Sequence, residues 1–150
     1  MRYIQEILSN RILWIGVLSW FVAQAMKIVF AAIIEKKLDF SRFFCGLGGM
    51  PSSHSAVVAS MATSVGVSRG FYSVEFAISA LMAMVVMTDA AGVRRAAGRQ
   101  AAVLNRLVQD MFAGGKKGPT YERLKELLGH TPFEVVVGAL LGILIGLIFV

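Results

Sequence analysis

Cysteine is nearly absent from this chain, since Cys45 is the only one among 150 residues. A single cysteine cannot form a disulfide within the chain, so a disulfide-stabilised fold is excluded. A lone cysteine more often acts as a small buried apolar residue than as a nucleophile.

Charged residues are also scarce. They make up 16% of the chain, against about 25% in an average soluble domain. This scarcity argues against an ordinary soluble protein.

Apolar residues dominate instead. They make up 57% of the chain, and the mean hydropathy is +0.70, whereas an average soluble domain has about 45–50% apolar residues. We therefore expect an all-α integral membrane protein, a helical bundle in a single domain over residues 1–150, because no linker rich in proline or serine divides the chain. The formal net charge of +6 fits anionic membrane lipids better than nucleic acid in so apolar a chain.

Four apolar segments are long enough to cross a membrane as helices, which takes roughly 20 residues. They are Ile12 to Ile34, about Met50 to Ser68, about Ser73 to Val93, and about Thr131 to Val150. The second segment differs from the others because it is rich in alanine, serine and glycine. Small residues of this kind allow neighbouring membrane helices to approach closely.

The polar stretch Arg94–Gly129 carries a helical pattern of its own. Apolar residues recur at steps of three and four from Val103 to Phe112, which predicts an amphipathic helix. A glycine- and lysine-rich break at 114–119 follows, and Thr120 is placed to cap a second short helix. One or two interfacial helices in the headgroup layer are therefore expected.

The last apolar segment has glycines at four-residue spacing, at Gly138, Gly142 and Gly146. This spacing forms a smooth face along which two membrane helices pack. The partner helix belongs either to the same chain or to a second copy. The pattern slightly favours the internal contact and leaves a homo-oligomer through this face open.

Four spans bring the chain's two histidines to one side of the membrane. Residues 35–50 and 94–130 share that side, and both termini lie on the other. His54 begins the second span and His130 precedes the fourth, so both lie at the same face. That face carries Lys36, Lys37, Arg42, Arg94, Arg95, Arg99, Arg106, Lys116, Lys117, Arg123 and Lys125, and the opposite face carries Arg2, Arg11 and Arg69. The positive-inside rule then places the histidine face in the cytoplasm.

The first histidine follows a glycine-rich turn. Glycines at 48 and 49 let the backbone approach an anion closely, and Ser52 and Ser53 add hydroxyl donors. The N-terminus of the following helix directs its free N–H groups to the same place. The simpler alternative is a serine cap with an interfacial His54. The second histidine and the arginines on the same face favour a phosphate site.

The second histidine, His130, stands four residues before Glu134, so the two share a helix face if a helix begins there. A carboxylate beside an imidazole fixes the ring tautomer, which is how a histidine is made a base or a nucleophile. The alternative is an interfacial histidine with a solvated glutamate. A glutamate at the start of an apolar span needs a partner, which favours the functional interpretation.

Cations near the third span complete the candidate site. Arg94 and Arg95 match phosphate oxygens bidentately, although anchoring by the positive-inside rule explains them equally well. Asp89 is expected to neutralise an arginine rather than to bind metal, and Lys27 either extends to the interface or adds charge to the phosphate site. No acidic cluster indicates a metal, and no cofactor is predicted.

Three motifs carry a resemblance that covers nearly the whole chain. They are Gly-Gly-Met-Pro-Ser-Ser-His-Ser-Ala at 48–56, Asp-Ala-Ala-Gly-Val-Arg-Arg-Ala-Ala-Gly at 89–98, and Leu-Leu-Gly-His-Thr-Pro-Phe-Glu-Val at 127–135. Together they resemble the divergent PAP2 family, a branch of small proteins related to type 2 phosphatidic acid phosphatases and vanadium haloperoxidases. The resemblance implies a helical bundle that removes phosphate from lipid phosphates or diphosphates without a metal.

The same resemblance implies a role for each site residue. His54 would protonate the leaving oxygen, His130 would attack phosphorus, and Glu134 would orient His130. The phosphate-binding cations would come from Lys27, Arg94, Arg95 or Arg123.

The sequence departs from the wider superfamily at several of these positions. Ser53 stands in place of a glycine, Glu134 in place of an aspartate, and Leu124 where an arginine is expected. The superfamily's Lys-x6-Arg-Pro motif is absent after Lys27. The sequence thus predicts a metal-independent phosphatase acting through a phosphohistidine. A non-catalytic or transport-linked membrane protein that binds lipid phosphate is the alternative.

Overall fold

The computed structural model describes residues 1–35, 49–112, 124 and 129–150. This part of the chain contains helices and no strands. The helices are α1 (Arg2–Leu8), α2 (Arg11–Glu35), α3 (Ser53–Arg69), α4 (Val74–Ala91), α5 (Val93–Phe112) and α6 (Pro132–Phe149). The predicted all-α membrane bundle is confirmed.

Three stretches of the described residues are long and apolar enough to cross a membrane: Arg11–Ile33, Val74–Met111 and Pro132–Phe149. They correspond to the first, third and fourth predicted segments. The second predicted segment forms α3, which is not among the three; it is shorter, at 17 residues, and richer in small and hydroxyl side chains. Hydrophobicity therefore does not explain the position of α3, whereas its neighbours do.

Helix α3 lies at the centre of the bundle, where α2, α4 and α6 all pack against it. Its buried residues share small size; they are Ser53, Ser55, Ala56, Ala59, Ser60, Ala62, Ser64 and Gly66. Because these side chains are short, three helices approach α3 closely and gain van der Waals contact along its whole length. Among the four helices α2, α3, α4 and α6, the least apolar one therefore occupies the centre.

The closest packing joins α3 and α6 through the glycine face of α6. A methyl group added at Gly142 would overlap the backbone carbonyl of Ala56, and one added at Gly138 would overlap that of Ser52. The face is buried inside the chain's own bundle. A homo-oligomer through this face would find it already covered by α3, so a second copy would have to use another surface.

Two surface helices differ from the sequence expectation. The amphipathic helix α5 begins at Val93, directly after a break at Gly92, and not near Val103. The short helix α1 was not predicted, and all of its residues are exposed. The second interfacial helix, expected after Thr120, lies outside the described residues.

Candidate functional site

The start of α3 is fixed by a serine cap. The Ser52 Oγ accepts hydrogen bonds from the Ser55 backbone N–H at 3.4 Å and from the Ser55 hydroxyl at 3.0 Å. Pro51 directly precedes this cap. Ser52 is fully buried, and its hydroxyl is used to cap the helix. His54 lies in the first turn of α3, and its side chain is exposed.

The start of α6 is fixed by a capping box, in which the cap residue and the third helical residue bond each other reciprocally. The Thr131 hydroxyl accepts from the Glu134 N–H at 3.3 Å, and the Glu134 Oε2 accepts from the Thr131 N–H at 3.3 Å. The same Oε2 lies 2.9 Å from His130 Nδ1. The helix start therefore holds the carboxylate in the position from which it orients the imidazole. The Thr-x-x-Glu spacing in the sequence is the signal that would have revealed this box.

His130 is held from its backbone as well as from its ring. Its N–H donates to the Ala90 carbonyl at 2.9 Å, and it is 4% exposed. Gly129, just before it, has φ +86°, and a Cβ there would overlap the backbone of Arg95. The end of α4 and the start of α5 thus form the wall against which His130 is seated. Sequence reasoning did not identify this wall.

Burial sets the protonation state of His130. Desolvation lowers the pKa of His130 below its ordinary value of 6.5, and the charges of Lys27 and Arg94 act in the same direction, while the hydrogen bond and charge of Glu134 oppose them. A neutral imidazole at pH 7 follows. With Nδ1–H donating to Glu134, the lone pair of the other nitrogen, Nε2, is available to attack an electrophile.

The two helix starts meet, and with them the two histidines. The Ser52 N–H donates to the Glu134 backbone carbonyl at 3.1 Å. Across this contact the rings of His54 and His130 lie 6.3 Å apart between centroids, tilted by 59°. The structure therefore brings together the two histidines that the sequence separates by 75 intervening positions.

Two cations accompany the histidines. The ammonium of Lys27, a residue only 7% exposed, donates to the Ser53 Oγ at 3.2 Å. The Arg94 Nε donates to Asp89 Oδ2 at 2.8 Å, with both side chains about half exposed. Lys27 and Arg94 lie within electrostatic range of both imidazoles. An anion placed between the rings would therefore meet a buried ammonium and a nearby guanidinium.

The other two arginines that the sequence suggested as phosphate-binding cations are not seen at the histidines. Arg95 is exposed, and its backbone, through Gly129, is the part that supports the site. Arg123 lies outside the described residues. Within the described ranges, no group of three or more His, Cys, Asp or Glu side chains comes together as a metal cage. The site thus offers nitrogen nucleophiles, proton donors and cations.

Comparison with known proteins agrees with this arrangement of motifs. The sequence model of the Divergent PAP2 family matches residues 8–145. The chain is 42% identical over 152 residues to the uncharacterized membrane protein YuiD of Bacillus subtilis (strain 168), a match that covers 95% of this chain and 96% of that protein. No solved structure matches the chain.

Proposed function

This chain belongs to the divergent PAP2 family, and from that premise we propose that it is a metal-independent membrane phosphatase acting on a lipid phosphate or lipid diphosphate. The observation that carries the proposal is the pair His130–Glu134, joined at 2.9 Å, with His54 facing it across 6.3 Å between ring centroids. At this centroid separation both imidazoles border one small space, so one ring can approach phosphorus while the other approaches the leaving oxygen of the same bound group. A phosphoryl group held between the rings can therefore be attacked from one side and protonated on the other.

In the first step, the Nε2 of His130 attacks phosphorus and forms an N–P bond. The bond from phosphorus to the leaving oxygen breaks, and that oxygen takes a proton from His54, whose imidazolium form is stabilised by the negative charge of the bound phosphoryl group. Glu134 stabilises the positive charge that develops on His130, because its carboxylate already accepts the Nδ1 proton. The products are a phosphohistidine, a neutral His54 and a lipid alcohol, or a lipid monophosphate when the substrate is a diphosphate.

In the second step, water attacks the phosphohistidine. Neutral His54 takes a proton from the water, the N–P bond breaks, and its electron pair returns to Nε2 of His130. Inorganic phosphate leaves and His54 is protonated again, so the cycle closes without a cofactor. Lys27 and Arg94 hold the phosphoryl oxygens in both steps, because their charges act on the space around both rings and cations stabilise the charge of a transferring phosphoryl group.

We further propose that this site faces the cytoplasm from a multi-pass protein of the cell membrane. The distribution of lysine and arginine along the sequence supports this orientation. The substrate's phosphate would then be reached from the inner headgroup layer.

The test is phosphate release by the purified full-length protein from a panel of lipid phosphates and diphosphates, with a metal chelator present. We expect release by the wild type and none by His130→Asn. We expect His54→Asn to slow release by about 10²–10⁴-fold, the usual contribution of general acid catalysis. Tyr72→Phe, at an exposed position in the turn between α3 and α4, is the matched control and should match the wild type.

Release that persists in His130→Asn would overturn the mechanism. The second candidate function is a membrane protein that binds lipid phosphate without cleaving it. This function replaces the phosphatase proposal if vanadate binds in a histidine-dependent manner but no lipid loses phosphate.

A further inference from the structure

Helices α4 and α6 both pack on α3 but leave a groove between them. The groove has a volume of about 580 Å³. The side chains that form its walls include Met84, Met87, Thr88, Val136, Ala139 and Leu140. The groove runs along nine residues on each side, from Met84 to Gly92 and from Pro132 to Leu140. The eight steps from the first residue to the last correspond to about 12 Å of helix.

One end of the groove reaches the candidate active site. Ala91, Gly92 and Pro132 form that end. Ala91 adjoins Ala90, whose carbonyl accepts the His130 N–H at 2.9 Å, and Pro132 is two residues after His130. On both helices, this end of the groove therefore lies within two residues of the backbone groups that hold His130 in place.

The groove is apolar and open to the outside of the bundle. Among the described residues that line it, Thr88 alone has a polar side chain, and its hydroxyl donates to the Met84 carbonyl at 2.8 Å. Met84, Val136 and Leu140 are each more than half exposed, on helices apolar enough to cross a membrane. Lipid hydrocarbon is the surrounding medium there, and a hydrocarbon chain can enter from the side. Methionine side chains adapt their shape to such a chain.

We propose that this groove, which we call the tail groove, holds the hydrocarbon of the substrate and that the substrate is a single-chain lipid alcohol phosphate or diphosphate, such as a prenyl phosphate. The inference rests on the proposed function. In such a lipid, hydrocarbon begins directly after the ester oxygen, which matches apolar residues that begin directly beside His130. A diacylglycerol phosphate would bring two ester carbonyls to the same place, where burying polar groups without hydrogen-bond partners is unfavourable.

The experiment measures binding separately from turnover. Non-hydrolysable phosphonate analogues of farnesyl phosphate and of dioleoyl phosphatidate are titrated into the full-length protein in lipid nanodiscs, and phosphate release is measured in parallel on the two natural esters. Ala139→Phe fills the tail groove from its wall. Val136→Phe does so from its exposed rim, where a larger side chain is easily accommodated during folding. Leu147→Phe, exposed on the same helix and outside the groove, is the matched control.

We expect the prenyl analogue to bind more tightly than the diacyl analogue. Either groove variant should weaken prenyl binding by at least about tenfold, equivalent to excluding two methylene groups from an apolar site, while Leu147→Phe leaves it unchanged. Equal or tighter binding of the diacyl analogue, or prenyl binding that both groove variants leave intact, would overturn the inference.

The two proposals fail in different ways. If phosphatidate is the better substrate, the phosphatase assignment stands and the tail groove assignment falls. If no lipid loses phosphate but prenyl binding depends on the groove, the groove assignment stands and the phosphatase assignment falls.

Discussion

The backbone carbonyl of Glu134 accepts a hydrogen bond from the backbone N–H of Ser52 at 3.1 Å. The side chain of the same Glu134 bonds His130, and Ser52 caps the helix that carries His54. One residue therefore links the start of α6 to the start of α3. Because a backbone bond survives most side-chain substitutions, the separation of the two histidines is set by the fold and not by the histidines themselves.

Replacing Glu134 with Gln should shift the pH dependence of phosphate release. Burial lowers the pKa of His130 and Glu134 opposes that effect, so removing the carboxylate charge lowers the pKa further. His130 must be neutral to attack, and the acid limb of kcat/KM therefore moves to lower pH. We also expect kcat to fall on the order of 10²-fold or more, because the ring loses the charge that stabilises its cationic form.

The matched control for this change is Thr131→Ala. Glutamine can still complete the capping box, so Glu134→Gln leaves the start of α6 capped, whereas Thr131→Ala removes the cap hydroxyl and keeps the carboxylate. Thr131→Ala should lower thermal stability and leave the acid limb in place. An acid limb that moves to higher pH in Glu134→Gln would contradict the assignment of His130 as the group that must be neutral.

Replacing Lys27 with Met should weaken vanadate inhibition by about 10- to 100-fold, the equivalent of one hydrogen bond to a charged group. The ammonium is buried beside Ser53, and vanadate presents the same oxygens as the transferring phosphoryl group. Ser53→Ala keeps the ammonium and removes only its hydroxyl partner, so its effect should be several times smaller. Equal inhibition constants in wild type and Lys27→Met would show that the lysine is structural.

Gly129 and Gly49 provide a matched pair of glycine substitutions. Both have positive φ, at +86° and +92°. A Cβ at Gly129 would overlap the Arg95 backbone, whereas none of the residues that the structure describes lies within 4 Å of one at Gly49. Each change to Ala costs about 1–2 kcal/mol for the backbone conformation. Gly129→Ala should cost more and should also lower kcat, because it displaces His130. Thermal unfolding in detergent and phosphate release measure the two effects, and equal losses in both variants would contradict this explanation.

The orientation is tested by cysteine labelling in a Cys45→Ser background. Lys117→Cys reports the face to which the sequence assigns the histidines, and Tyr72→Cys reports the turn between α3 and α4. A membrane-impermeant maleimide applied to intact cells should label Tyr72→Cys and spare Lys117→Cys until the cells are opened. The reverse pattern would place the site outside the cytoplasm.

The sequence predicted the elements whose causes are local. Long apolar runs located α2, α4 and α6 to within a few residues. The expectation that His130 and Glu134 share a helix face was wrong, because α6 begins at Pro132 and His130 precedes its cap, but the two side chains do meet. The sequence also predicted that the two histidines lie at one face. The chain changes sides with each span, so this conclusion needs only the number of spans. The geometry within each of these elements follows from neighbouring residues in the chain.

The remaining features depend on contacts between distant residues. The seat of His130 on the Ala90 carbonyl and the bond from Ser52 to Glu134 are backbone interactions, which no side-chain pattern reveals. The amphipathic period seen from Val103 did not extend to the start of α5, because Val93 to Gln100 is mostly alanine, glycine and arginine. The tail groove was not predicted either, since it arises from how two helices diverge on a third.

The central place of α3 has a consequence for how the protein is made. A helix that is poor in hydrophobic side chains gains little from entering lipid by itself. Helix α3 is synthesised well before α6, the neighbour against which it packs most closely. During synthesis, we expect α3 to stay packed against α2 and α4, or to lie near the membrane surface, until His130 and α6 have been synthesised. The packing of α6 against α3 therefore completes the bundle and brings the two histidines together in a single event.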